Sequence, residues 1–223
     1  MTQRRTLILA ALAVATSSCA HASAHDDFFR AIELDQAPQI NALLRRGFDP
    51  NTRDAKGAPA LVLALHSESY QAALALAQAR GLQVNARNAK GETALMMAAL
   101  RGRMDIARAL ITRGADVNQE GWAPLHYAAS STADSATDMT ALLLEHHAYI
   151  DATSPNGTTP LMMAVRYGKS DVALQLVRAG ADPAVRNERG LGALEFARQA
   201  GRDDMVDLIT QALRRRQPAR RQW

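Results

Sequence analysis

The chain has 223 residues with 26 Lys and Arg against 22 Asp and Glu, a formal net charge of +4 and a single cysteine. Seven of the basic residues (Arg4, Arg5, Arg214, Arg215, Arg216, Arg220 and Arg221) lie outside 25–213, whereas every acidic residue lies inside, so that body carries 19 positive against 22 negative charges. The basic balance therefore belongs to the two ends, and a case for nucleic-acid binding from overall charge is excluded.

Residues 1–24 have the pattern of a secretory signal peptide: the pair Arg4-Arg5, an apolar run from Leu7 to Ala15, and Ala22-Ser23-Ala24 as a small-x-small cleavage site. Nine apolar residues are too few to span a bilayer. Cleavage after Ala24 leaves a periplasmic chain beginning at His25, with no cysteine for a disulfide or a thiol nucleophile. Thr16-Ser17-Ser18-Cys19 is the weaker alternative, a lipoprotein anchor lacking the usual Leu three positions before Cys19. Gln3-Arg4-Arg5-Thr6-Leu7-Ile8 leaves a twin-arginine export route open.

The body reads as helix pairs. Residues 25–51 carry Phe28, Phe29, Ile32 and Leu34, then Ile40, Leu43 and Leu44, a pair without a preceding turn and suited to an N-terminal cap. Residues 52–85 form the next unit, with a longer link at His66 to Tyr70. Residues 86–118 are the clearest copy. Ala89-Lys90-Gly91 makes a turn, Thr93 is placed as an N-cap, and Leu95, Met96, Ala98 and Ala99 give a short helix. Ile106, Leu110 and Ile111 form the stripe of a second helix, closed by Gly114-Ala115-Asp116.

Residues 119–151 depart from this plan. Asn118 to Leu125 is three residues shorter than Asn85 to Leu95, which clips the turn and puts Trp122 in its place. The same unit gains three residues between its helices, in Ser130 to Thr137, a small polar stretch expected to be mobile. Residues 152–184 are regular. Residues 185–213 place Glu195, Arg198 and Gln199 on a helix face, as suits a polar C-terminal cap, and 214–223 form a basic tail.

The closing turns begin at Gly47, Gly81, Gly114, His147 and Gly180, in steps of 34, 33, 33 and 33, and a leucine opens the first helices at Leu61, Leu95, Leu125, Leu161 and Leu194. One such pair buries too little to be stable alone and is completed by its neighbours. A turn and two helices at this period, with Gly157-Thr158-Thr159-Pro160-Leu161 and Ala123-Pro124-Leu125-His126, resemble the ankyrin repeat family over about 26–213. The resemblance implies an all-α solenoid of about six helix-turn-helix repeats with short β-turn fingers.

No catalytic pattern emerges. Glu145-His146-His147 lacks the partners of a metal site, His126 sits at the family's structural histidine, and Asp203-Asp204 opens a helix. Met96-Met97 and Met162-Met163 read as packing residues, one of each pair in the core. The chain is expected to be no enzyme and to hold no metal or cofactor.

The resemblance places function on a concave face made of finger tips and first helices, where it implies partner contacts at Arg53, Lys56 and His66, then Arg87, Lys90, Glu92 and Arg101. Further along it implies Trp122, Arg166, Tyr167, Arg186 and Arg189, with Ser131 and Thr158 among flanking positions. The full set holds eight Arg or Lys against three Glu, within a body of opposite sign. The expectation is a monomeric, non-catalytic binding module with an acidic protein partner and no nucleic acid. The alternatives are an inhibitor or immunity-type protein that occludes an exported enzyme, and an envelope polyanion binder whose Arg-rich tail touches anionic membrane weakly.

Overall fold

A computed structural model describes residues 24–216. The expected leader up to Ser23, with Cys19, and the tail from Gln217 lie outside the described residues. Among those described there are twelve helices and no sheet, only isolated bridges. No described helix is long and apolar enough to cross a membrane. The chain divides into two compact units, 1–83 and 84–223.

The first unit holds α1 (24–33), α2 (Ala37–Arg45), α3 (Ala60–His66) and α4 (Tyr70–Ala77). Phe28, Ile32, Ile40, Leu65 and Leu76 are fully buried, and Phe28 meets Phe48 with ring centroids 4.5 Å apart. Six alanines of α3 and α4, including Ala60, Ala64, Ala72 and Ala73, have no more than a sliver of exposed surface. Small side chains at these positions let the helix backbones approach closely. The finger between Asn51 and Pro59 is folded by Asp54, whose Oδ1 accepts the amides of Lys56 and Ala58 at 2.9 and 2.7 Å. Leu61 is buried.

The second unit runs from α5 (Ala94–Leu100) and α6 (Met104–Thr112) through α7 (Pro124–Ser130) and α8 (Ala136–Glu145). It continues as α9 (Pro160–Tyr167), α10 (Ser170–Arg178), α11 (Ala193–Gln199) and α12 (Asp203–Arg216). The first helices of the repeats, α5, α7, α9 and α11, lie side by side in chain order, and α8, α10 and α12 form a second layer. Leu95, Leu125 and Leu161 are buried between them. Leu194 on α11 is only half-buried. Helix α12 continues three residues into the stretch read as a tail, ending on Arg214, Arg215 and Arg216, whose charge suits the negative end of the helix dipole.

Each first helix of the second unit is started by the same geometric device with different chemistry. The side chain at its third residue reaches back to the N-cap amide: Met96 Sδ to Thr93 at 3.4 Å, His126 Nδ1 to Ala123 at 3.1 Å, Met162 Sδ to Thr159 at 3.4 Å and Glu195 Oε2 to Gly192 at 2.9 Å. Two sequence expectations change as a result. Met96 and Met97 are both buried in the core, and Met96 also turns back to the cap. Glu195 is more than a polar capping face, because it holds the N-terminus of α11.

The closing turns are joined by one residue type. Asn51 accepts the amide of Gln83 at 2.7 Å and donates to the Gly81 carbonyl at 2.9 Å, inside the first unit. In the second, Asn85 bonds Asp116 and Gly114, and Asn118 bonds Tyr149 and His147. The amide side chain suits this place because it donates and accepts at once. Asp151 takes the next position and only accepts, from the amide of Asp182 at 2.9 Å.

The inserted segment of repeat four is not loose. Ser131 Oγ donates to the Leu100 carbonyl at 2.6 Å and Ser135 Oγ to the Gly102 carbonyl at 2.7 Å. On the other side Lys169 reaches Asp134 at 2.7 Å. The extra residues are thereby tied to the repeats before and after them, which corrects the expectation of a mobile loop.

Candidate protein interface

The fingers of the second unit carry their charges on tips that the backbone geometry fixes. Asn88 Oδ1 accepts the amides of Lys90 and Glu92, and a bridge pairs Arg87 with Thr93. Gly91 closes this turn at φ +78°, a conformation open to glycine. Asn187 repeats the arrangement with Arg189 and Leu191, and Arg186 pairs with Gly192. Arg87, Lys90, Arg186 and Arg189 are exposed; Arg101 and Arg166, at the ends of α5 and α9, are half-buried.

Several predicted contacts are engaged inside the protein. Glu92 accepts from Asn88 at 2.7 Å and from the Tyr127 hydroxyl at 3.4 Å, bracing finger three against α7. Burial, then the Glu92 carboxylate, pushes the Tyr127 phenol up to about 12, so it keeps its proton. Arg186 donates to the Gly190 carbonyl of its own finger at 2.6 Å, as Arg53 does to Gly57 in the first unit. These arginines stiffen fingers as well as charging them.

Ser131 and Thr158 are 1% and 3% exposed, which removes both from the expected contact surface. Ser131 is turned to Leu100, and the Thr158 carbonyl faces His126 Nε2 at 3.0 Å. His126 itself is fully buried, with its two ring nitrogens matched to the Ala123 amide and the Thr158 carbonyl. This pairing requires the neutral tautomer protonated on Nε2. Burial holds the imidazole below its ordinary value.

The family model for ankyrin repeats (3 copies) matches three overlapping stretches, 28–120, 74–154 and 125–214. The chain belongs to the ankyrin repeat family. An ankyrin repeat domain from Acinetobacter baumannii AYE superposes with a TM-score of 0.68 at 25% identity, over 86% of this chain and 98% of that one. Among curated proteins, the mouse nuclear factor NF-kappa-B p105 subunit is 38% identical over 102 residues, which is 44% of this chain and 10% of the relative. Human neurogenic locus notch homolog protein 2 is 34% identical over 103 residues, 45% of this chain and 4% of the relative. The likeness is therefore confined to a small part of those long proteins. Ankyrin repeats are interaction modules that bind other proteins, and the fold is one that typically carries no catalysis.

On this ankyrin scaffold, aromatic surface gathers at repeats four and five. Tyr167 is 52% exposed and the Arg166 guanidinium stands 5.2 Å from its ring centroid. Trp122, His126, Tyr127, Ser130 and Met163 enclose a cavity of about 200 Å³. Of these, Trp122 and Ser130 were expected as contacts from the sequence. Tyr127, Ser130 and Met163 lie on first-helix positions two or five residues beyond the repeat leucine, a spacing that marks the same face in every repeat, and His126 lies one beyond it.

The first unit carries Arg53, Lys56 and His66 exposed on its own finger and helix end. Beside them is a groove of about 690 Å³ to which Asp26, Asp27, Glu33 and Asp54 contribute, so this face is mixed in sign. Glu145, His146 and His147 are exposed at the end of α8, and among the described residues no group of three or more His, Cys, Asp or Glu is placed to hold a metal ion.

Proposed function

We propose that the chain is exported to the periplasm and acts there as a non-catalytic binding module for a protein with an acidic surface. The carrying observation is the charge of the interface in the second unit. Arg87, Lys90, Arg101, Arg166, Arg186 and Arg189 stand against Glu92, Glu120 and Glu188, on a body that is net negative between 25 and 213. Glu92 is further committed to Asn88 and Tyr127. Arginine and large aromatics are the side chains that most often dominate interface energy, and Trp122 and Tyr167 accompany the cations here.

The test is a crosslinked capture from envelope extract, followed by titration of the recovered partner with the double variant Lys90→Glu, Arg189→Glu. Both side chains sit on finger tips, so the fold should be retained. The reading expects at least tenfold weaker binding at low salt, with the difference shrinking as salt screens the contacts. Equal affinity of variant and parent would sink it. N-terminal sequencing of the periplasmic fraction tests export, with His25 as the expected first residue.

A further inference from the structure

The finger of repeat four is three residues shorter than that of repeat three, and the shortening uncovers a slot on the face of α7 and α9. Its volume of about 200 Å³ lies below the roughly 300–1,000 Å³ of small-molecule sites and suits one large side chain. The lining is largely carbon in effect, because the polar atoms of His126, Tyr127 and Ser130 are already matched. His126 is bonded to Ala123 and Thr158, the Tyr127 hydroxyl to Glu92, and Ser130 Oγ to the Tyr127 carbonyl at 3.0 Å. What faces outward is the half-exposed indole of Trp122, set edge-on to His126 with centroids 5.2 Å apart, the Tyr127 ring and the Met163 thioether. A polar ligand would lose its hydration here and gain few partners in return.

The rim has the opposite character. Gln119, three residues before Trp122, donates to the Gly91 carbonyl at 3.3 Å, which brings Lys90 of the neighbouring finger tip to one side. Ser131 ties the end of α7 to the Leu100 carbonyl, which brings Arg101 to another. Arg166 follows Met163 by one turn of α9. Against these three cations stands Glu120, exposed on the shortened loop.

We infer that the slot is an anchor site for one bulky apolar side chain, Leu or Phe, presented by an extended partner segment with acidic residues on both sides. This rests on the acidic-partner reading above and adds the feature that would give that partner its specificity, since charge alone steers and a buried anchor discriminates.

The test uses the full chain and fluorescein-labelled seven-residue peptides of Glu and Asp with a single central residue, Leu, Phe or Ala, and the same set with Lys flanks. Binding is read by anisotropy at low salt. The Leu and Phe peptides with acidic flanks should bind about tenfold tighter than the Ala peptide. Trp122→Ala, which removes a wall, and Met163→Phe, which fills the slot, should each bring that ratio close to one. Circular dichroism confirms that both remain folded.

A Leu to Ala ratio near one in the parent overturns the anchor and leaves the acidic-partner reading standing. Tighter binding of the Lys-flanked set overturns that reading itself. Absence of binding by every peptide also overturns the anchor, as does self-association of the chain that Trp122→Ala abolishes, which would make a second copy the occupant.

Discussion

Repeats three and four occupy the same 33-residue period and fill it differently. Repeat three has a full finger between Asn85 and Leu95, with a bridge from Arg87 to Thr93 and a tight link from α5 to α6. Repeat four removes three residues from the finger and adds three between its helices, so the step from one closing turn to the next stays the same. Both changes are built into the structure. The addition is bonded to its neighbours through Ser131, Ser135 and Asp134, and the deletion exposes the aromatic slot. A solenoid tolerates such redistribution because each repeat answers only to the two beside it.

The closest test of that nearest-neighbour rule is at Gly168, the C-cap of α9. A Cβ there would overlap the carbonyl oxygen of Ala129 in α7 and lie 3.1 Å from the Ala164 Cα. Since the obstacle is backbone, it cannot step aside. Gly168→Ala should cost about 3 kcal/mol in urea unfolding of the full chain, whereas Gly114→Ala, with nothing within 4 Å, meets only the strain of its positive φ.

The two helix starts differ in the atom that reaches back, and His126 does more than Met96. His126→Leu keeps the apolar volume but strands the Ala123 amide in the interior and leaves the Thr158 carbonyl with the Ser154 amide alone, a loss of about 2 kcal/mol. The pH dependence has a definite sign. Because the folded imidazole titrates below its ordinary value, the unfolded chain binds the proton first, so stability is full above about 6.5 and falls as pH drops below it. The Leu variant should lose this component. Unchanged pH dependence in urea midpoints between pH 7 and 5 would show that His126 is not its source.

Much of the architecture was legible because it follows from spacing. The period of the closing turns, the positions of Leu95, Leu125 and Leu161, the turn at Gly91 and the cap at Thr93 all report local geometry that a single repeat dictates. What was missed depends on neighbours. Ser131 is a small polar residue in a loop-like stretch, and nothing within its own repeat indicates that Leu100 offers it a carbonyl. Glu92 looked free because Tyr127 is 35 positions away. The slot was missed for the same reason: Tyr127 and Met163 read as ordinary helix residues until the short finger beside them leaves them uncovered.

The junctions after the two repeats give the finer contrast. Asn118, closing repeat three, bonds its successor with both ends of its amide, while Asp151, closing repeat four, lacks the donor for the Gly180 carbonyl. Burial, then the nearby Asp182 carboxylate, raises Asp151 above the usual carboxylate value, against the pull of the Asp182 amide and Arg216. A raised carboxyl favours folding while protonated, and this contribution is lost as pH climbs through its folded value. Asp151→Asn should therefore stabilise the protein by about 1 kcal/mol at neutral pH, with the gain shrinking toward pH 3. A gain that is equal at pH 7 and pH 3 would locate the effect elsewhere.

The closing turns themselves provide the smallest effect. Repeat three ends on Gly114 at φ +82° and repeat four on His147 at φ +63°, in the same left-handed region. A residue with a Cβ pays roughly 1 kcal/mol there, and the exposed His147 ring gives up no core contact on removal. Glycine restores the local geometry but also frees the unfolded chain, which returns on the order of 0.5 kcal/mol of the gain. His147→Gly should thus stabilise by about 0.5 kcal/mol, read as a small upward shift of the urea midpoint at unchanged slope. Its amide still donates to Leu144 and its carbonyl still accepts from Asn118, so the ladder through repeat four should be untouched. A destabilised variant would mean that the imidazole contributes more at the end of α8 than its strain costs.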